Sequence, residues 1–288
     1  MAILSFQSHV ATGRVGNAIV AFALQRLGIE VWPIHTVLFS NHPGHGPFRG
    51  KRRAPKDLTE IILGLEDHGV FSRCKAVLGG YLGSAASGAV LLDAVSRIRT
   101  KSPDVDFFLD PVMGDEGKGL YVPDELVEFY RHATEEADVI APNAFELGVL
   151  TDRKIASPAD GFEAARTLLR GRTRTVLVTS VPGFEPDVLV TLSVDAREAR
   201  AVVTPKLALD PKGAGDLFMA LAAAHTLRTG NPAVAVQMAV STVWSLTEAA
   251  IESPDEGGDL PIVTRQSLLR DPMVSFKCDV FVAGDDVA

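Results

Sequence analysis

The sequence predicts an α/β fold with a mostly parallel central sheet and helices on both faces. Three observations carry this. Short apolar runs alternate with segments of helical periodicity for most of the length. Glycine and polar residues cluster just after several of the apolar runs, where open α/β sheets place their ligands. Nothing along the 288 residues reads as a long linker. The whole of 1–288 is therefore expected to be one domain, with 283–288 a frayed tail.

Strands are predicted at Ile3–Gln7, Val31–Thr36, Ala76–Gly79, Phe107–Leu109, Val139–Ala141, Thr175–Thr179, Val188–Ser193 and Ala201–Thr204. Between them, helical patterns lie near Asn17–Leu27, Leu58–His68, Ala85–Arg99, Glu125–Arg131, Ala144–Thr151 and Phe162–Arg170. No helix separates the runs at Val188 and Ala201, so an antiparallel hairpin is expected there. The chain then turns helical: Gly213 to Arg228 forms one helix, stopped by Gly230-Asn231-Pro232, and Val234–Ala250 forms another. The apolar stretch from Ala233 to Ile251 is broken by Gln237, Ser241, Thr242, Ser245 and Glu248. That pattern suits a buried helix rather than a membrane span.

Composition narrows the function. Hydrophobic residues at 47% and charged residues at 22% exclude disorder. A net charge of −8 would repel a phosphate backbone, so no nucleic acid partner is expected. Two cysteines, Cys74 and Cys278, cannot build a disulfide framework or a zinc site alone, which is compatible with a cytoplasmic protein. The opening Ala2-Ile3-Leu4-Ser5-Phe6 lacks the basic region of a secretory signal, and no membrane association is expected.

Chemistry concentrates in a few segments. In Lys212-Gly213-Ala214-Gly215-Asp216, two glycines let the backbone approach a ligand, and the helix that follows points free N–H groups at it. Asp216 in that first turn can take a proton from an attacking hydroxyl, or simply favour a helix start. Asp110-Pro111-Val112-Met113-Gly114-Asp115 follows a strand directly; Asp110 can place a metal or phosphate, or sit solvated in a turn. Asn143 and Glu146 have capping-box spacing, and the same spacing can aim Glu146 at a hydrated Mg²⁺ and Asn143 at a phosphate. Gln7-Ser8-His9 and Phe39-Ser40-Asn41-His42 both close predicted strands; they can line one pocket, or their histidines can be ordinary surface residues. Gly117-Lys118 is no Walker A motif, and Gly13-Arg14-Val15-Gly16 carries no dinucleotide signature.

Taken together and in order, the segments Gln7–Val10, Val31–Pro33, Phe39–His42, Gly80–Ser84, Asp110–Gly114, Ala141–Asn143 with Glu146, and Gly213–Asp216 resemble the pyridoxal kinase family of the ribokinase-like superfamily. The resemblance implies a ribokinase-like three-layer α/β/α fold, a homodimer, Mg-ATP as donor and the 5′-hydroxyl of a B6 vitamer as acceptor. It implies that Asp216 is the general base, beside an anion hole of Gly213, Ala214 and Gly215 amides. Ser8 would bond the pyridine ring, with Phe39, His42, Gly44 and Tyr81 shaping its pocket. Asp110, Asn143 and Glu146 would serve phosphates and Mg²⁺, with Asp110 and Glu146 as the metal's carboxylates. Ala141, Thr179 and the run Thr204, Pro205, Lys206, Leu207 would border ATP, and 115–121 would form a flap.

Four positions depart from the family pattern: Pro43 and Ala214 replace threonines, Thr179 lies where some relatives carry lysine, and Leu120 where some carry cysteine. They bear on turnover and vitamer preference. The alternatives are a hydroxymethylpyrimidine kinase, a sugar kinase lacking its early glycine pair, and a paralogue that binds and buffers pyridoxal phosphate.

Overall fold

Helices on both faces of one twisted sheet bury two separate apolar layers in this computed structural model, which describes residues 1–252 and 258–282. In chain order the elements are β1 (Ala2–Val10), α1 (Asn17–Arg26), β2 (Glu30–Phe39), β3 (Gly50–Arg52), α2 (Pro55–Asp67), β4 (Cys74–Gly79), α3 (Ala85–Lys101) and β5 (Asp106–Leu109). Then come the two-residue strands β6 (Gly114–Asp115) and β7 (Gly119–Leu120), α4 (Asp124–Ala133), β8 (Val139–Ile140), α5 (Ala144–Thr151) and α6 (Pro158–Thr167). The chain continues through β9 (Thr175–Pro182), β10 (Val188–Asp195), β11 (Ala199–Pro205), α7 (Ala214–Thr229), α8 (Pro232–Glu252) and β12 (Asp279–Phe281). The predicted tail 283–288 lies outside the described residues.

The sheet runs β12-β11-β10-β9-β8-β5-β4-β1-β2-β3. Its middle, β2-β1-β4-β5-β8-β9, is parallel throughout. The expected hairpin is present: β10 pairs antiparallel with both β9 and β11. Because β1 pairs with β2 on one side and β4 on the other, the chain changes direction across β1. The crevice beyond the carboxyl ends of β1 and β4 is thus the topological switch point, the default ligand site of such a sheet.

Strand alternation sorts the core. Leu4, Phe6, Val77, Phe107 and Leu109 face the layer under α2 to α6, while Ile3, Ala76, Leu78 and Phe108 face α1, α7 and α8. Helix α8 is long and apolar enough to cross a bilayer, yet 61% of that window is buried within the fold, as expected for a core helix. One predicted boundary is corrected. The helix placed at Phe162–Arg170 begins four residues earlier and ends at Thr167. Ser157 caps it through Asp160 N–H, and Pro158 supplies the pre-set first turn, a start signal that the apolar pattern concealed.

One buried acid fastens the amino ends of the central strands β5, β8 and β9, opposite the crevice. Asp138 is 4% exposed; Oδ2 accepts from Phe107 N–H and from Arg99, both at 2.8 Å, and Oδ1 from Arg172 and Arg174, both at 3.3 Å. Removing it strands a buried amide and leaves Arg99 without its acid. Asp138→Ala is expected to cost about 3 kcal/mol in a denaturant titration. A loss below about 1 kcal/mol would show the three arginines to be ordinary surface partners.

Candidate active site

Helix α7 starts at Gly213, whose φ of 83° is left-handed and whose Cβ, if present, would collide with the carbonyl oxygen of Arg14. Gly16 has the same need: at φ 53° an added Cβ would run into Ser8, both its carbonyl and its Oγ. The two glycines let the 13–16 turn wedge between the end of β1 and the start of α7. There the Gly16 amide donates to Asp216 Oδ2 at 2.8 Å. Asp216 Oδ1 has no hydrogen bond among the described residues, so it is open to a hydroxyl. Burial pushes the Asp216 carboxyl up to about 6, and the Gly16 bond holds it from rising further. The first amides of α7, those of Ala214, Gly215 and Asp216, have no carbonyl partner within the helix.

A second group of acids faces this helix start. Asp110, 7% exposed just past β5, lies so close that a Cβ on Gly215 would sit 3.6 Å from its Oδ2. Burial, then the charges of Glu146, Asp216 and Asp115, hold Asp110 well above the usual carboxylate range. Glu146, 3% exposed, is raised by burial to about 7. Its oxygens are occupied: Oε1 accepts from Met113 N–H at 2.9 Å and Gly114 N–H at 3.5 Å, and Oε2 from Asn143 N–H at 3.0 Å. Asn143 Oδ1 returns the bond to Glu146 N–H at 2.8 Å, completing the capping box.

The donor set suits a hydrated magnesium ion. Asp110 and Glu146 are hard oxygen donors with no cationic partner among the described residues, and Glu146, already accepting from three amides, keeps little acceptor capacity beyond them. No three His, Cys, Asp or Glu side chains among the described residues gather to hold a metal unaided. A cation shared with nucleotide phosphates needs no such cage.

The predicted substrate residues gather on the other flank. Ser8, Phe39 and Tyr81 lie at or just past the ends of the neighbouring strands β1, β2 and β4. Phe39 packs on Phe48 with ring centres 4.9 Å apart, and the Tyr81 carbonyl accepts from Thr36 Oγ1 at 2.7 Å. His42 Nδ1 accepts from Gly44 N–H at 3.0 Å. Burial, then the nearby His45, Lys212 and Lys118 charges, lower the His42 pKa, so the ring is neutral and presents Nε2–H as a donor. A Cβ on Gly44 would come 3.9 Å from Lys212 Cε, which sets this loop against the approach to α7.

The predicted nucleotide residues lie on the opposite flank. Ala141 N–H bonds the Leu109 carbonyl, and Thr179 N–H the Pro142 carbonyl at 3.0 Å, with Asn143 and Thr179 forming a parallel bridge. Thr204 and Pro205 end β11, and Val188 pairs with Pro205, so that end shares the edge with the close of β9. Lys206 N–H bonds Asp187 and Leu207 follows, both leading toward α7. Asp216 thus stands between the two groups. The predicted flap is the β6–β7 hairpin, held toward the helix approach by Lys118, 2.9 Å from Asp115 and 3.5 Å from Asp210.

One contributor to the site geometry was not apparent in the sequence. The 13–16 turn lacks a recognisable motif because its partner, Asp216, is 200 residues away.

The phosphomethylpyrimidine kinase family model matches residues 71–259. The pyridoxal kinase PdxY of Leifsonia xyli subsp. xyli is 40% identical over 282 residues, covering 96% of this chain and 98% of its own. That of Rubrobacter xylanophilus is 40% identical over 278 residues, 95% of each. Among solved structures, pyridoxal kinase from Leishmania donovani with ADP and pyridoxamine superposes with a TM-score of 0.92 at 30% identity, covering 98% of this chain and 99% of that one. The same kinase with ADP and pyridoxine gives 0.93 at the same identity and coverage. With relatives this similar along almost its whole length, the chain belongs to the pyridoxal kinase family, of ribokinase-like fold.

Proposed function

We propose that the chain transfers the γ-phosphoryl group of ATP to the 5′-hydroxyl of pyridoxal, and of pyridoxine and pyridoxamine, in vitamin B6 salvage. One observation carries the reading: Asp216, oriented by the Gly16 amide, sits at the open amides of α7 between the Ser8 pocket and the Asp110–Asn143–Glu146 group. Its relatives are named for this activity, and the related structures hold ADP with B6 vitamers.

The residues divide the work. Ser8 and the Nε2–H of neutral His42 bind and orient the vitamer, with Phe39, Gly44 and Tyr81 as walls. Asp216 accepts the hydroxyl proton on Oδ1 as the oxygen attacks. The amides of Gly213, Ala214 and Gly215 stabilise charge on the transferring phosphoryl group. Asp110, Asn143 and Glu146 position the phosphates, and Ala141, Thr179 and 204–207 border the nucleotide. The 115–121 flap excludes water, which would otherwise compete as acceptor. Asp110 and Glu146 would hold Mg²⁺, which would neutralise phosphate charge during transfer.

Pyridoxal is expected to outpace hydroxymethylpyrimidine and sugars in a panel read by ADP release; tight vitamer binding with negligible ADP release would instead mark a buffer. Asp216→Asn should lower kcat by on the order of 10²–10⁴ while ATP binds nearly as before. The base works ionised, so kcat/KM in the wild type should rise with pH through about 6 and flatten above it. Near-normal turnover in Asp216→Asn removes that residue from the mechanism.

A thermal titration tests the metal site independently of turnover. Asp110, Glu146 and Asp216 all have raised carboxyls, so the native state holds more protons than the unfolded chain from about pH 4 to 7, and these groups cost stability as pH climbs through that window. Mg²⁺ should therefore raise Tm more at pH 8 than at pH 5, and Asp110→Asn should abolish the difference. An equal rise at both pH values, or in the variant, would place the ion elsewhere.

The same proposal includes a homodimer. Exposed Leu38 and Phe48 beside the short edge strand β3 offer apolar surface for a second copy. Light scattering should return twice the 30.7 kDa chain mass, and the mass of one chain would refute it.

A further inference from the structure

The far end of α7 closes a groove at the edge of the sheet opposite the active site. Its cavity is about 590 Å³, a volume that suits a small organic ligand, and Leu27, His225, Arg228, Met238, Leu269 and Arg270 line it. Three separate stretches build it: the last turns of α7, the start of α8, and the 3₁₀ turn Gln266–Leu269, with the end of α1 beneath. The floor is apolar, since Leu27 is 9% and Leu269 0% exposed.

One of its polar atoms is buried without a partner, and its two arginines have no acid among the described residues. His225 is 7% exposed, and its Nε2 is buried with no hydrogen bond. Native proteins rarely leave such an atom unsatisfied, because desolvation is then uncompensated. Arg228 and Arg270 stand exposed at the rim and form no ion pair among the described residues; Arg270 donates to the Arg26 carbonyl at 2.8 Å. Burial and the Arg228 charge together lower the His225 pKa, which keeps the ring neutral. A smaller cavity of about 330 Å³ near Arg99 differs in this respect, since Arg99 is committed to Asp138 and the Glu136 carbonyl.

We propose that this groove binds a phosphate monoester with a compact apolar body. Two unpaired guanidiniums match the double charge of a phosphate monoester and the fork geometry of its oxygens. Turning its ring outward, His225 would give the sealed Nε2 its missing hydrogen bond from the ligand, and Leu27, Met238 and Leu269 would cover the apolar body.

Phenyl phosphate serves as the probe, on the full chain labelled with ¹³C-methyl methionine. Met238→Leu identifies the Met238 signal. Phenyl phosphate should shift that signal saturably, while inorganic phosphate and phenol, each holding half of the chemistry, bind at least about tenfold more weakly. The double variant Arg228→Gln/Arg270→Gln should weaken phenyl phosphate about tenfold or more, and His225→Phe should weaken it as well. Asp216→Asn should leave the Met238 titration unchanged, which separates this groove from the active site. The proposal fails if the Met238 signal stays fixed up to about 10 mM probe, or if the double arginine variant titrates like the wild type.

Discussion

The hydrogen bond from Gly16 to Asp216 is the constraint on which the site depends. It joins residues 200 positions apart and fixes the opening strand against the start of α7. Neither side can approach unless the backbone is bare. Gly213 and Gly16 both take left-handed φ, and a methyl group on either would strike main chain. The same contact aims the carboxylate, since one oxygen accepts the amide and the other is left for chemistry. Geometry and reactivity therefore share a single donor.

The electrostatics run against stability. Three acids converge near the helix start, and burial raises each of them. A protein selected only to stay folded would place apolar groups there; clustered, perturbed carboxylates are a mark of function. Glu146 shows how the conflict is contained. Three backbone amides satisfy its two oxygens, so the buried acid beside Asp110 also starts α5.

Much of this was legible in the residues and some was not, for physical reasons. The parallel strands were readable because strands covered on both faces are continuous apolar runs, as Phe107–Leu109 and Thr175–Thr179 show. The order Gly213–Asp216, Asp110 and Asn143–Glu146 was readable because each follows a strand or opens a helix. The start of α6 was misplaced because Ser157-Pro158 precedes the apolar pattern instead of lying within it. The 13–16 turn, the Asp138 hub and the His225 groove escaped notice because each takes its meaning from residues distant in sequence. Spacing reports neighbours along the chain, and these features depend on neighbours in space.

Helix α7 has one more consequence. Over 16 residues it spans about 24 Å, from the Asp216 carboxylate at one end to the arginine-rimmed groove at the other. Its middle is Met219-Ala220-Leu221-Ala222-Ala223-Ala224, fully buried against α1 and α8. Alanine has no rotamers to rearrange, so little in that stretch can absorb a displacement. The helix is a strut: packed rigidly on both sides, its two ends move as one body.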